Sequence, residues 1–214
     1  KTINSAAASG RAVHAFLEYY AEKDPKKKEE IIAKAREISK EKRDEKGNIV
    51  QQGLNAFMFK WLDVDTVQRI FTKAGININI KSEQSVRNED KLMPELMAYS
   101  NTLGFATQID GLVVHSNGDA SIVDWKTGQL FSDEFTNRVF KYATALGASK
   151  VNTAKLEVVL RAFALKEMMP EAKFRQLSLG LISRAKGGVH MVDIELKDYL
   201  SVIEAYVKAE MPAA

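Results

Sequence analysis

The chain has 214 residues, 45% of them hydrophobic and 28% charged, with a net charge of +3 and no cysteine. That length supports a core without covalent staples, and the missing thiols exclude a disulfide framework and thiolate metal sites. No run is apolar and long enough to span a bilayer, no secretory signal pattern is present, and so mild a basic charge does not by itself indicate nucleic acid.

Residues 5–22 read as a helix with Val13, Phe16, Leu17 and Tyr20 on one face and His14 beside it. A histidine in that setting is more often a packed core residue than a ligand. Asp24-Pro25, a capping aspartate before a proline, opens a charged helix expected to run to residue 46, where Gly47-Asn48 ends it. Its Lys26-Lys27-Lys28 cluster invites a nucleic-acid reading, but residues 22–46 hold ten Lys or Arg against eight Asp or Glu. A solvated face with i,i+4 pairs such as Lys26–Glu30 and Glu30–Lys34 explains it better. Shorter helices are expected at 50–62, with Leu54, Phe57, Met58 and Trp61 as its apolar stripe, and at 64–74, with Val67, Ile70 and Phe71. Ile76, Ile78 and Ile80 alternate with Asn77, Asn79 and Lys81, the pattern of a half-buried strand running to about residue 87. Residues 88–103 read as a loop with a short helix around 94–99.

Strands are expected at 105–115 and 120–126, apolar and β-branched, joined by the turn signal Ser116-Asn117-Gly118. Beyond them, Ser132 caps a helix at 133–147 that carries Arg138 and Tyr142 one turn apart on one face. Strands at 156–165, 174–184 and 189–195 follow, then a closing amphipathic helix at 197–209. His115 and His190 read as strand or loop residues without chemistry. The order of elements gives an α/β fold, a central mixed β-sheet flanked by helices. We expect one domain over 1–214, with a helical N-terminal region at about 5–74 and an α/β core at about 75–214.

The hairpin carries the chemistry. A two-residue Asn117-Gly118 turn would place Asp110 across from Trp125 and put Asp124 on the opposite face. A three-residue loop with Gly118 in the left-handed conformation pairs His115 with Asp119, so that Leu112 faces Ile122 and Asp110 faces Asp124. Like charges facing each other across strands are destabilising unless compensated, and a bound cation is the natural compensation. The three-residue loop is therefore expected. Asp110 and Asp124 can hold a hard divalent cation through oxygen, while Lys126 can stabilise charge at a phosphate or help deprotonate an attacking water. The Asp-x-Lys spacing alone is weak, since Glu171-Ala-Lys173 and Glu195-Leu-Lys197 resemble it and are ordinary solvated charges. Its place at the end of an apolar strand, with Asp110 as partner, is what lifts it.

Ile122-Val123-Asp124-Trp125-Lys126-Thr127-Gly128 resembles the nuclease motif of the PD-(D/E)XK superfamily, in its RecB-like branch. Three further pieces are similar and fall in the family's order. Gly10-Arg11-Ala12-Val13-His14-Ala15-Phe16-Leu17-Glu18 resembles the N-terminal helix motif. Glu83 sits where the family often has a glutamate on the first core strand. Arg138-Val139-Phe140-Lys141-Tyr142 occupies the place of a Gln-x-x-x-Tyr helix motif, with arginine where the family usually has glutamine. Thr107 stands where many relatives have glycine, and the four-cysteine iron–sulfur cluster of several RecB-like members has no ligands here.

The resemblance implies a restriction-endonuclease-like core and a DNA nuclease dependent on Mg²⁺ or Mn²⁺, leaving 5′-phosphate ends. It implies His14, Asp110, Asp124 and the backbone carbonyl of Trp125 as metal ligands, with Glu83 touching a second ion or a metal-bound water. Lys126 would act on the attacking water, and Arg138 and Tyr142 on the DNA phosphate. An exonuclease of recombination, repair or replication, acting on single-stranded DNA or a duplex end, is the reading preferred. The expected setting is cytoplasmic or nucleoid-associated, with a phage-encoded origin and a larger parent protein or recombination partner both compatible with a chain that starts at Lys1. Two alternatives stand beside it. One is a non-catalytic nucleic-acid-binding or assembly module that kept the fold. The other is a helical adaptor built on residues 24–74, which leaves the hairpin unexplained.

Overall fold

The computed structural model describes residues 3–38, 40–51, 63–82, 89–127, 150–182, 188–201 and 203. The chain forms two compact units, one of Lys1–Asp90, Lys126–Gly128 and Leu181–His190, the other of Lys91–Trp125, Gln129–Gly180 and Met191–Ala214.

In the first unit, helix α1 (Ile3–Ala21) packs against α2 (Pro25–Ile38). Ala15, Ile31 and Ala35 form their shared buried cluster, with Tyr19 laid against it. Asp24 opens α2 as its sequence suggests, its carboxylate accepting from Lys26 N at 2.9 Å. The helix stops at Ile38 instead of continuing to residue 46. Residues beyond it form a small hairpin of β1 (Lys42–Arg43) and β2 (Ile49–Gln51). Asp44 is the cause: its side chain accepts from Lys46 N and Asn48 N at 2.9 and 2.8 Å, offering the backbone a turn in place of helical bonds. The expected 50–62 helix is thereby displaced at its start, and residues 52–62 lie outside the described residues. Helix α3 (Val64–Lys73) agrees with expectation, capped by Asp63, which accepts from Thr66 N at 2.7 Å.

The alternation at 76–80 is real in burial, with Ile76, Ile78 and Ile80 buried and Asn77 and Asn79 exposed. It is not a ladder strand. The segment finds many of its hydrogen bonds in side chains: Gln68 Nε2 donates to Ile78 O (2.8 Å) and Ile80 N donates to Gln68 Oε1 (3.0 Å). Asn77 N and Asn79 N donate to the carboxylates of Asp90 (2.7 Å) and Glu89 (2.9 Å). Lys23 Nζ ties down the carbonyls of Asn79 and Ser82, both at 2.7 Å.

The second unit holds most of a five-stranded mixed sheet in the order β3 (Lys91–Ser100), β4 (Phe105–Val114), β5 (Ala120–Thr127), β6 (Phe174–Ile182) and β7 (Val189–Asp193). Two expectations fail here. The expected loop and short helix at 88–103 are strand β3, an edge strand. Met97 and Tyr99 are exposed while Ala98 and Ser100 are buried, a period of two, and Pro94 is tolerated because an edge strand has no second ladder to serve. The expected strand at 156–165 is part of helix α4 (Lys150–Met168), which packs on β3 and β4. A short apolar run rich in valine does not distinguish a buried strand from a buried helix, and here Leu156, Val158, Val159, Ala162, Ala164 and Leu165 are all buried. Topology decides: α4 is the crossover between sheet neighbours β5 and β6.

Strands β6 and β7 match expectation. The closing helix begins as a 3₁₀ turn at Leu196–Tyr199, and most of its expected length lies outside the described residues, as does all of the expected 133–147 helix. No helix among the described residues is long and apolar enough to cross a membrane.

Candidate active site

The β4–β5 turn is the three-residue loop. His115 N donates to Asp119 O at 2.8 Å and Gly118 N to His115 O at 2.9 Å, while Gly118 adopts the left-handed φ of +87° that a side chain resists. Asn117 locks the loop from both sides of its amide, Nδ2 donating to Asp119 Oδ2 (2.8 Å) and Oδ1 accepting from Asp119 N (3.1 Å). The register reads Leu112 against Ile122 and Gly111 against Val123, so the next pair along is Asp110 against Asp124. The even-length alternative, which would have split the acids between two faces, does not occur.

Strand β5 is covered on both sides. Residues 120–125 are all buried, and Asp124 has no solvent exposure. Such a strand would ordinarily carry no charge, so the carboxylate there demands a compensating group. Trp125 anchors the site by packing against β6, at a place where only glycine leaves room. A Cβ on Gly180 would fall 2.3 Å from Cε3 and Cζ3 of the indole. The amide of Trp125 in turn donates to Asp110 Oδ2 at 3.2 Å, which fixes one oxygen of the first acid.

The compensating cation is Arg161, from α4. Its Nη1 pairs with Asp124 Oδ1 and its Nη2 lies 3.8 Å from Asp110 Oδ1, so one guanidinium spans both acids. Burial would lower the Arg161 pKa, but the charges of Asp124 and Asp110, the bond to Asp124 and the charge of Glu157 outweigh it and raise the value above that of free arginine. The arginine therefore keeps its positive charge beside the acid pair.

Arg161 had not been singled out from sequence. The available signal was an arginine inside the largely apolar run 156–165, where a largely buried guanidinium must find an acid. A second unanticipated residue is Glu95 on β3. The ladder pairs Pro94 with Gly111 and Leu96 with Ile109, which sets Glu95 opposite Asp110. Glu95 has φ of +52°, the one positive φ outside glycine among the described residues. A conformation of that kind costs a non-glycine residue on the order of 1–3 kcal/mol and clusters at functional positions. Three acids thus stand in line across three strands at backbone level.

Of the other expected site residues, His14 lies half-buried on α1 in the first unit, and Lys126 lies half-buried on β5 two residues beyond Asp124. Glu83, Arg138 and Tyr142 lie outside the described residues. Among the described residues no three His, Cys, Asp or Glu side chains converge as a ready metal cluster. What the structure brings together is the acid pair. Its oxygens are the hard donors that magnesium and manganese prefer, and a cation already stands against them in the form of Arg161.

Fold and acid pair together define an α/β protein of restriction-endonuclease-like architecture. The family model of the PD-(D/E)XK nuclease superfamily matches residues 1–203, and the chain belongs to that superfamily. No protein of curated function matches the chain. Among solved structures it is similar to a crystal structure from Eubacterium rectale provisionally described as an exonuclease, with a TM-score of 0.53 and 12% identity, covering 96% of this chain and 64% of that one. At that identity the likeness is one of fold, and the chain spans less than two thirds of that protein's length.

Proposed function

We propose that the chain is a divalent-metal-dependent deoxyribonuclease of the RecB-like branch, acting as an exonuclease in DNA recombination, repair or replication. The observation that carries this reading is the register of the β4–β5 hairpin, which sets Asp110 opposite a fully buried Asp124. In this reading His14, Asp110, Asp124 and the carbonyl of Trp125 hold Mg²⁺ or Mn²⁺, and Glu83 or Glu95 supplies a further carboxylate. The bound ion would supply charge neutralisation at the scissile phosphate and a more acidic water. Asp110 is oriented by the Trp125 amide, and Asp124 is kept dry by β5's burial, which strengthens its hold on any cation. Lys126 orients the attacking water and stabilises the charge that develops on the phosphate. Arg138 and Tyr142 bind a neighbouring phosphate, a task suited to arginine's fork. The bond broken is to the 3′ oxygen, leaving 5′-phosphate ends. A cytoplasmic or nucleoid setting, and work inside a larger parent protein or with a recombination partner, belong to the same proposal.

End-labelled single-stranded, duplex and circular DNA incubated with the chain and Mg²⁺ or Mn²⁺ tests it. We expect linear substrates to be degraded, circles to survive, and Asp124→Asn and Lys126→Ala to be inactive. Wild-type rates in either variant would overturn the assignment, and cleavage of circles would overturn the exonuclease part.

One observation favours a second reading, a non-catalytic nucleic-acid-binding or assembly module. Arg161 already compensates the acid pair, as a purely structural ion pair would. A rise in melting temperature with Mn²⁺ would favour the enzyme, because a cation that binds the folded state stabilises it.

A further inference from the structure

We propose that Arg161 is a resident counter-ion for the Asp110–Asp124 pair and competes with the divalent cation for the same carboxylate oxygens. This rests on the metal-dependent reading above and adds to it a step of exchange. Arg161 reaches the pair from α4, outside the hairpin that makes the site. Asp110 Oδ2 is engaged by the Trp125 amide, while Oδ1 is the oxygen facing Arg161 Nη2 at 3.8 Å. Nη1 covers Asp124 Oδ1. A dication held by these two acids needs the oxygens the guanidinium now faces.

One feature marks the arginine as a holder of the place and not as a finished structural pair. An arginine in a permanent network has its buried donors met, since each unmet buried donor is costly. Here the polar contacts of Arg161 among the described residues are the two acids, and its buried Nε meets no acceptor. In the exchange no covalent bond forms or breaks; the guanidinium, still protonated and positively charged, moves off Asp110 and Asp124, and the dication takes its place.

The test uses the full chain as wild type and as Arg161→Met, which keeps an aliphatic stem without charge, and Arg161→Lys, which keeps charge without the fork. Melting in EDTA and Mn²⁺ affinity by calorimetry are measured for each. We expect Arg161→Met to melt lower in EDTA and to bind Mn²⁺ roughly tenfold more tightly, the scale of one charge-assisted hydrogen bond removed from competition. Arg161→Lys should fall between. Where Arg161→Met fails to fold, ¹H–¹⁵N spectra of arginine side chains in the wild type follow the exchange directly, and the Arg161 Nε signal should shift along the Mg²⁺ binding curve. Equal or weaker Mn²⁺ binding in Arg161→Met, or an Nε signal unmoved by saturating Mg²⁺, overturns the exchange and leaves the metal reading intact. Absence of metal binding in wild type and variants alike overturns the metal reading, and this proposal with it.

Discussion

Two extended stretches of the chain bury isoleucines and satisfy their backbones in different ways. In 105–127 the extended chain is β4 and β5, whose backbones pair with each other in a fixed register. In 76–80 the isoleucines are buried at every second residue, but four of the backbone bonds go to the side chains of Gln68, Glu89 and Asp90, beside main-chain bonds such as Asp90 N to Asn77 O. A period of two reports which side of an extended chain is buried. It does not report what satisfies the backbone, and buried amides must be met by one means or another. The hairpin has backbone partners and tolerates a charge at its centre; the segment leans on single side chains, each of which can be removed.

The largest effect should come from breaking the hairpin's charge pair. Asp124→Ala leaves the largely buried Arg161 without its closest acid, with Asp110 at 3.8 Å. We expect a loss of about 3–5 kcal/mol of stability, the usual cost of removing one partner of a buried ion pair. Chemical denaturation of Asp124→Ala beside the Asp124→Ala/Arg161→Met double variant checks this, because removing both charges should restore part of the loss. A double variant as unstable as the single would mean that Arg161 is not what Asp124 compensates.

Next in size is the seat of Trp125. Gly180→Ala sets a methyl 2.3 Å from the indole, so the ring or β6 must shift. We expect about 1–3 kcal/mol of destabilisation from the overpacked contact. Because the Trp125 amide holds Asp110, Mn²⁺ affinity should weaken in the same variant. Thermal melts and calorimetry read the two effects separately.

On the other side of the comparison, Gln68→Met removes both bonds to the extended segment while keeping the stem. A loss of about 1–3 kcal/mol is expected, since Ile78 O and Ile80 N lose their partner. Hydrogen exchange of the Ile80 amide should accelerate, while that of His115, bonded within the hairpin, should not. Equal acceleration at both would mean that the segment and the hairpin unfold as one unit.

These contrasts also explain what was legible in the sequence. The hairpin register could be counted in advance because a glycine fixes the loop and every pairing follows from it. Helices α1 and α3 were legible through the period of their apolar faces. Strand β3 was not, because Pro94-Glu95 interrupts its pattern at the point where Glu95 takes a positive φ. Helix α4 resembles a strand in sequence for the opposite reason: it is buried on too many sides to show a period. With α4 went Arg161, whose meaning depends on a crossover bringing residue 161 against residues 110 and 124. That juxtaposition is a property of topology, and no local window contains it.

The smallest expected effect concerns the other arm of α4. Glu167 receives Ser100 Oγ and the Asn101 amide, both at 2.9 Å, and so ties the β3–β4 turn to the helix. Burial would raise its pKa, but hydrogen bonds from the Thr102 and Ser100 side chains and the Thr102 and Asn101 amides outweigh it and hold the value below the ordinary 4.5. A carboxyl whose pKa is lower folded than unfolded stabilises the fold above its unfolded pKa, and the contribution fades as pH falls through the folded value. Glu167→Gln should therefore cost about 1 kcal/mol near neutrality, and the gap to wild type should close at acid pH, where both side chains are uncharged. Urea titrations across that range read the difference. A gap that stayed constant with pH would show that the turn is held by side-chain shape and not by the carboxylate's charge.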